Sequence, residues 1–210
     1  MPLFQSWQTA RGPVPKAFFE VETFRSRLRL ATADPNAGAA ASAAVLICCF
    51  ELAGEVGILL TRRAATMRTE PLTISFPGGR VEPGETPVLA ALREAEEEIG
   101  LSPSMVEVLG VLNMADRRRQ NELVLPVVAW VNEPFAPAPN PEEVDAVIQV
   151  PLSSLLEVGA AWSEEWGDAT ATRIIRFFAH PEVLGADLVW GLTARMIWEL
   201  IERVCTGGDE

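Results

Sequence analysis

The chain has 210 residues, 49% of them apolar, and a formal net charge of −12. That is enough apolar chain for a real core, so a disordered protein is excluded and a single main domain is the expectation. With no basic run beyond the arginines at 117–119, the negative balance argues against a phosphate-backbone partner such as DNA or RNA.

Residues 1–20 carry Pro2, Pro13 and Pro15 among scattered aromatics and read as an extended arm. Residues 21–30 have helical spacing at Phe24, Leu28 and Leu30, and residues 32–44 form a small-residue linker. Residues 1–39 are therefore expected as an arm and helix that pack on the main domain, residues 40–207, or on a second subunit, which leaves a homodimer open. Residues 44–50 are a short apolar run, the pattern of a buried strand. Cys48 and Cys49 lie inside it and read as small hydrophobes; with Cys205 they fit no disulfide or zinc spacing. A turn at 52–54 and a second apolar run at 56–61 make a hairpin, and a third strand is expected at 73–76.

Pro77-Gly78-Gly79 and Pro83-Gly84 are breakers that allow sharp turns. Between them and Gly100 the pattern is helical, with Val88, Ala91, Leu92, Ala95 and Ile99 on one face. Thr86 suits the cap, Pro87 the first turn, and Gly100 the stop. Further strands are expected at 106–112, 123–131, 144–150 and 173–178, a short helix at 152–156 and a closing helix at 192–204. The arginines at 117–119 read as a solvated hairpin turn. Trp190 and Trp198 read as core. The single histidine, His180, excludes a multi-histidine metal site and reads as surface. Strands mixed with a few helices indicate an α/β or α+β sandwich. The amino-terminal residues lack the apolar core of a secretory signal, and the apolar run at 38–50 is too short to span a bilayer, so a cytoplasmic location without a membrane partner is expected.

The polar face of the helix at 87–99 concentrates carboxylates. Glu94 and Glu98 are four apart and Glu94 and Glu97 three apart, with Glu96 beside them and Glu85 in the preceding loop. Like charges stacked at these spacings repel by a few tenths of a kcal/mol per pair. The plain reading is a solvated acidic face. A hard cation such as Mg²⁺ or Mn²⁺ would convert the repulsion into binding.

The spacing decides between these readings. Gly79 is followed by five residues and Glu85, then seven residues and Arg93-Glu94, Ala95, one residue, Glu97-Glu98, one residue, Gly100 and Leu101. This stretch resembles a complete Nudix box, the signature of Nudix hydrolases, with every fixed position filled. The resemblance implies an α/β/α sandwich around a mixed sheet, with the box as a loop, helix and loop. It also implies Mg²⁺ or Mn²⁺ held by Glu94, Glu97 and Glu98 with the Gly79 carbonyl, a carboxylate that accepts a proton from water, and an Arg93 that orients a box carboxylate.

A second segment, residues 59–79, resembles the signature of the coenzyme A pyrophosphatase subgroup. Leu59-Leu60-Thr61, Arg63, Ala64, Arg68 and Phe76-Pro77-Gly78-Gly79 match it. Leu72 stands where the subgroup has glycine, and Glu70 where it commonly has histidine. Glu143-Val144, Val150-Pro151-Leu152 and the run at 190–194 are similar to the same subgroup. The implied reaction is hydrolysis of a nucleotide diphosphate, with coenzyme A giving 3′,5′-ADP and 4′-phosphopantetheine. Arg63 and Arg68 would pair with phosphate oxygens, Arg80 and Phe76 would touch substrate, and Glu143 is a candidate loop base. ADP-ribose or another nucleotide is the alternative substrate. A non-catalytic nucleotide-binding Nudix domain is the alternative of another class.

Overall fold

Ala43–Leu52 (β1) and Glu55–Arg63 (β2) form an antiparallel hairpin, and almost every side chain in their central stretch is buried. The structure, a computed structural model, describes residues 14–31, 40–117, 122–157, 159–167 and 172–206. Residues 1–13 of the arm expected at 1–20, residues 32–39 of the linker expected at 32–44 and the arginines at 118–119 lie outside these residues; the remainder of the arm is not extended throughout but forms a 3-10 helix at Lys16–Phe19, and the linker's last residues already belong to β1.

The main sheet is mixed. Glu122–Val131 (β7) runs parallel to β1, and the other pairings are antiparallel. Ile74–Ser75 (β3) and Val144–Pro151 (β8) pair with β2, Gly78–Arg80 (β4) with β1, and Val106–Val111 (β5) and Ala115–Arg117 (β6) with β7. On one face lies Pro87–Ile99 (α2). Its Ala90, Ala91, Ala95 and Ile99 pack on Ala44, Leu46, Leu59, Leu125 and Val127. The small alanines bring this helix close to the strands. On the other face lie Val21–Ala31 (α1) and Gly191–Thr206 (α4). Phe24 and Leu28 share a core there with Ile197, Leu200 and Ile201. Arg27 donates to the Val204 and Cys205 carbonyls at the end of α4, so α1 is stitched into the core of the main domain. The result is an α/β/α sandwich with a mixed sheet.

A second, antiparallel sheet consists of Ala161–Gly167 (β9), Thr172–Phe178 (β10) and Val189–Trp190 (β11), with Pro181–Leu184 (α3) between the last two. Most of this small sheet lacks a continuous apolar run or clean alternation, and only β10 was expected from the sequence. Gly78 and Gly79 do not turn sharply but run as β4 beside β1. The segment after Pro151 is a 3-10 helix, Leu152–Leu156. Trp198 is buried in α4, but Trp190 is 44% exposed on β11, because the strand there is only two residues long and faces it outward. His180 is mostly covered; its Nε2 lies 3.1 Å from Glu157. Cys48 and Cys49 are fully buried, and burial pushes the Cys49 thiol up to about 12. Among the described residues no helix is long and apolar enough to cross a membrane.

Candidate active site

The helix α2 begins and ends as its sequence dictates. The Thr86 hydroxyl accepts from the Leu89 N–H at 3.3 Å, Pro87 takes the first turn, and Gly100 adopts φ 72° to close it. This fixes the rotation of the helix and hence which glutamates face the sheet edge. Glu98 is turned inward and is 4% exposed. Its Oε2 accepts from the Gly78 N–H at 3.3 Å.

Glu94, Glu98 and Glu143 each bring a carboxylate oxygen within 4.8 Å of the others. Glu143 arrives from a loop pinned at both ends. Asn140 N–H donates to the Glu98 carbonyl at 2.9 Å, and Ala64 N–H to the Glu143 carbonyl at 2.8 Å. The first bond ties the loop to the end of α2 and the second ties it to the end of β2. Burial pushes the Glu98 carboxyl up to about 8, with Glu94 and Glu143 adding to the rise and the Gly78 N–H and Arg63 opposing it. Burial also raises Glu94, against the pull of Arg93. Three oxygen donors this close, one of them buried, fit a hard divalent cation such as Mg²⁺ or Mn²⁺.

Gly79 faces this group. A Cβ there would lie 2.2 Å from Glu94 Oε1, so only glycine leaves room for the carboxylate. Arg93 orders the polar side of the helix. Its Nε and Nη2 donate to the two oxygens of Glu85 at 3.0 and 3.2 Å, and its Nη1 to Glu94 and Glu97 at 3.1 and 3.0 Å. Nη2 also donates to the Arg80 carbonyl at 3.1 Å, so every guanidinium donor is used. The Arg93 hydrogen bonds hold the Glu85 carboxyl below the usual range.

The other expected site residues are dispersed. Glu97 is exposed and is held by Arg93; it is not one of the three converging carboxylates. Arg63 follows a register shift in β2 and is close enough to Glu98 to attract it, while its Nε is buried without a partner. Arg68 is exposed on the loop between β2 and β3. Arg80 points to solvent and bonds Glu122 at 3.1 Å. Phe76 is buried in the core on the α4 side of the sheet, away from the carboxylates. Sequence reading gave Glu143 a lesser role than this geometry does. The residues that pin its loop, Asn140 and Ala64, carried no signal of their own.

A family model of the NUDIX domain matches residues 41–170. Among curated relatives, the chain is 38% identical over 159 residues to Nudix hydrolase 22, chloroplastic, of Arabidopsis thaliana, covering 74% of this chain and 52% of that one. It is 34% identical over 148 residues to the uncharacterized Nudix hydrolase NudL of Photorhabdus laumondii, covering 70% and 76%. The chain thus spans about half the length of the plant relative. A solved MutT/nudix family protein from Enterococcus faecalis shares the fold at TM-score 0.50 and 18% identity, covering 78% of this chain and 61% of that one. The box glutamates stand on a helix capped at both ends, the mixed sheet lies between helices, and the family match spans more than half of the sequence: the chain belongs to the Nudix family.

Proposed function

We propose that the protein is a metal-dependent Nudix hydrolase that cleaves a diphosphate linked to a nucleoside, with coenzyme A or a derivative as substrate. The observation that carries the hydrolase reading is the convergence of Glu94, Glu98 and Glu143 within 4.8 Å beside Gly79. Bound there, Mg²⁺ or Mn²⁺ would neutralise the diphosphate and acidify a water. Glu94 and Glu98 hold the cation in this reading, with Glu97 and the Gly79 carbonyl completing the set. Glu143 accepts the proton from the attacking water. Water adds to one phosphorus, the bridging P–O bond breaks, and two monophosphates leave. From coenzyme A these are 3′,5′-ADP and 4′-phosphopantetheine. Arg93 holds the carboxylates in register. Arg63, with its buried and unpartnered Nε, and the exposed Arg68 pair with phosphate oxygens; Arg80 and Phe76 have lesser roles, Arg80 from its solvent-facing position and Phe76 by packing.

The subgroup reading rests on the match at residues 59–79. The departures at Glu70 and Leu72 favour a second reading, in which the preferred ligand lacks a 3′-phosphate, such as ADP-ribose or another nucleotide. A non-catalytic binder would not need the complete glutamate set that this chain retains. A screen of diphosphate substrates with Mg²⁺ and with Mn²⁺, read by product mass, tests the activity. Coenzyme A against its 3′-dephospho form at equal metal tests the substrate. A preference for intact coenzyme A of about a hundredfold, roughly 2.7 kcal/mol, supports the first reading. Equal rates support the second, and no turnover of any diphosphate overturns both.

A further inference from the structure

The segment at 138–143 joins two parts of the candidate site. Two of its backbone N–H groups close the end of α2: Ala138 donates to the Ile99 carbonyl and Asn140 to the Glu98 carbonyl, both at 2.9 Å. The last carbonyls of a helix have no partner within it, so these bonds satisfy two of them. Gly100 leaves room for the approach, since a Cβ there would lie only 3.2 Å from that of Ala138. The same segment then delivers Glu143 to the end of β2, where the Glu143 carbonyl accepts from the Ala64 N–H at 2.8 Å.

Between these anchors lies a turn that starts at Asn140. The Asn140 carbonyl accepts from the N–H groups of Glu143 at 3.1 Å and Val144 at 2.8 Å. Its side-chain Oδ1 accepts from the Glu142 N–H at 3.1 Å. Asparagine first and proline second suit such a turn: the short amide reaches the N–H two residues on, and Pro141 fixes its own φ. Four bonds therefore meet at Asn140, one toward the helix that carries Glu94 and Glu98 and three into the turn that carries Glu143. Both backbone groups of Glu143 are engaged, so the turn sets where its side chain starts on the way to Glu94 and Glu98.

We propose that Asn140 is the positioning residue that holds Glu143 against Glu94 and Glu98, an inference that rests on the hydrolase reading above. Three carboxylates this close repel one another when ionised, and a loose turn would let Glu143 retreat to solvent. The Asn140 N–H ties the turn to α2, and its Oδ1 and carbonyl oppose that retreat from within the turn. A general base must stand within hydrogen-bond reach of the proton it takes, and a misplacement of about 1 Å costs on the order of a hundredfold in rate. Asn140 acts only through Glu143, so its side chain governs turnover and not the ground-state binding of substrate.

Asn140→Ala keeps the backbone bonds and removes only the Oδ1 acceptor. It is expected to lower kcat about tenfold with KM within about twofold of wild type. Asn140→Asp and Asn140→Ser put back an oxygen acceptor and are expected to restore most of the rate. In a Glu143→Gln background Asn140→Ala is expected to cost nothing more, because the group it positions is already gone. The readout that needs no activity is amide hydrogen exchange in the full-length, metal-free protein. Asn140→Ala is expected to speed exchange about tenfold at Glu142, Glu143 and Ala64, while the Leu46 N–H, bonded to the Pro77 carbonyl, keeps its rate and reports an intact main sheet. Unchanged exchange at Glu143 and Ala64, failure of both oxygen-bearing variants to restore the rate, or fully additive losses in the double variant each overturns the proposal. So does a raised KM at unchanged kcat in Asn140→Ala. Wild-type turnover that Asn140→Ala leaves intact sinks the positioning role alone. A wild type that turns over no diphosphate sinks the hydrolase reading, and the exchange rates then decide whether Asn140 holds Glu143 in place.

Discussion

Gly79 lies so close to Glu94 that a methyl group at residue 79 would overlap the carboxylate, 2.2 Å from its Oε1. The clash is with the free end of a side chain, so Gly79→Ala can fold by moving Glu94. Displacing a catalytic carboxylate by about 1 Å costs on the order of a hundredfold in rate. Gly79→Ala is expected to lose about that much kcat while its melting temperature stays close to wild type. Full activity in the folded variant would remove Glu94 from the chemistry.

Glu98 carries a pH signature. Its folded carboxyl holds a proton up to about 8, while the unfolded chain releases it near the ordinary value of 4.5. The folded state therefore binds more protons between these values, and this contribution to stability is full below pH 4.5 and is lost as pH rises through 8. Metal-free wild type is expected to melt at progressively lower temperature from about pH 5 to pH 8, at up to roughly 1.4 kcal/mol per pH unit. Glu98→Gln keeps an acceptor for the Gly78 N–H and is expected to flatten that slope, as is saturating Mg²⁺ in wild type. Parallel slopes for wild type and Glu98→Gln in metal-free melts would refute the assignment.

Activity should also respond at both adjacent glutamates. Glu97→Gln and Glu98→Gln are each expected to fold and to lose on the order of a thousandfold in kcat with metal present. Glu97 is exposed and held only by Arg93, so its test is the sharper one. Near-normal turnover in the folded Glu97→Gln variant would remove Glu97 from the cation ligands and overturn that part of the metal assignment.

Arg93 makes no contact that requires a ligand. All its donors go to Glu85, Glu94, Glu97 and the Arg80 carbonyl. Arg93→Ala is therefore expected to lower kcat with little change in KM, and Arg93→Lys to rescue it poorly, since an ammonium cannot span that fork. A raised KM at unchanged kcat would mark lost ground-state binding and contradict a positioning role.

The helix was legible because its signals are local. Thr86, Pro87 and Gly100 each act within a turn of themselves, and the alanine and isoleucine spacing names the buried face. The longer strands of the main sheet were legible as apolar runs, including both halves of the β1–β2 hairpin, but β6 was not: Arg117, expected in a solvated turn, ends that strand and pairs with Glu122. What escaped depends on long-range pairing. Gly78 and Gly79 look like a turn until β1 is laid beside them. Glu143 looks like a strand-end residue until Asn140 and Ala64 tie its loop to α2 and β2. Trp190 looks like core because indoles usually are, and only the two-residue strand that holds it shows otherwise. Phe76 sits in a motif beside site residues, yet strand alternation sends its side chain to the opposite core.

Leu72 has φ 59°, a left-handed conformation that a glycine adopts without strain, and it stands where the resembling subgroup has glycine. The backbone is held there from both sides. Leu72 N–H donates to the Arg63 carbonyl at 3.2 Å, and Arg63 N–H to the Thr73 carbonyl at 3.0 Å. Left-handed geometry costs a non-glycine residue about 1–2 kcal/mol, and a glycine gives back roughly 0.5–1 kcal/mol as extra entropy in the unfolded chain. The side chain is 54% exposed, so little burial is lost with it. Leu72→Gly is expected to stabilise the protein by up to about 1 kcal/mol in urea unfolding, whereas Leu72→Ala keeps the strain and gains nothing. If the departure at this position governs ligand choice through bulk, both variants raise the preference for intact coenzyme A over its 3′-dephospho form equally. If it acts through backbone strain, only Leu72→Gly does. A loss of more than about 1 kcal/mol in Leu72→Gly would show that the leucine side chain supports the loop, against the strain argument.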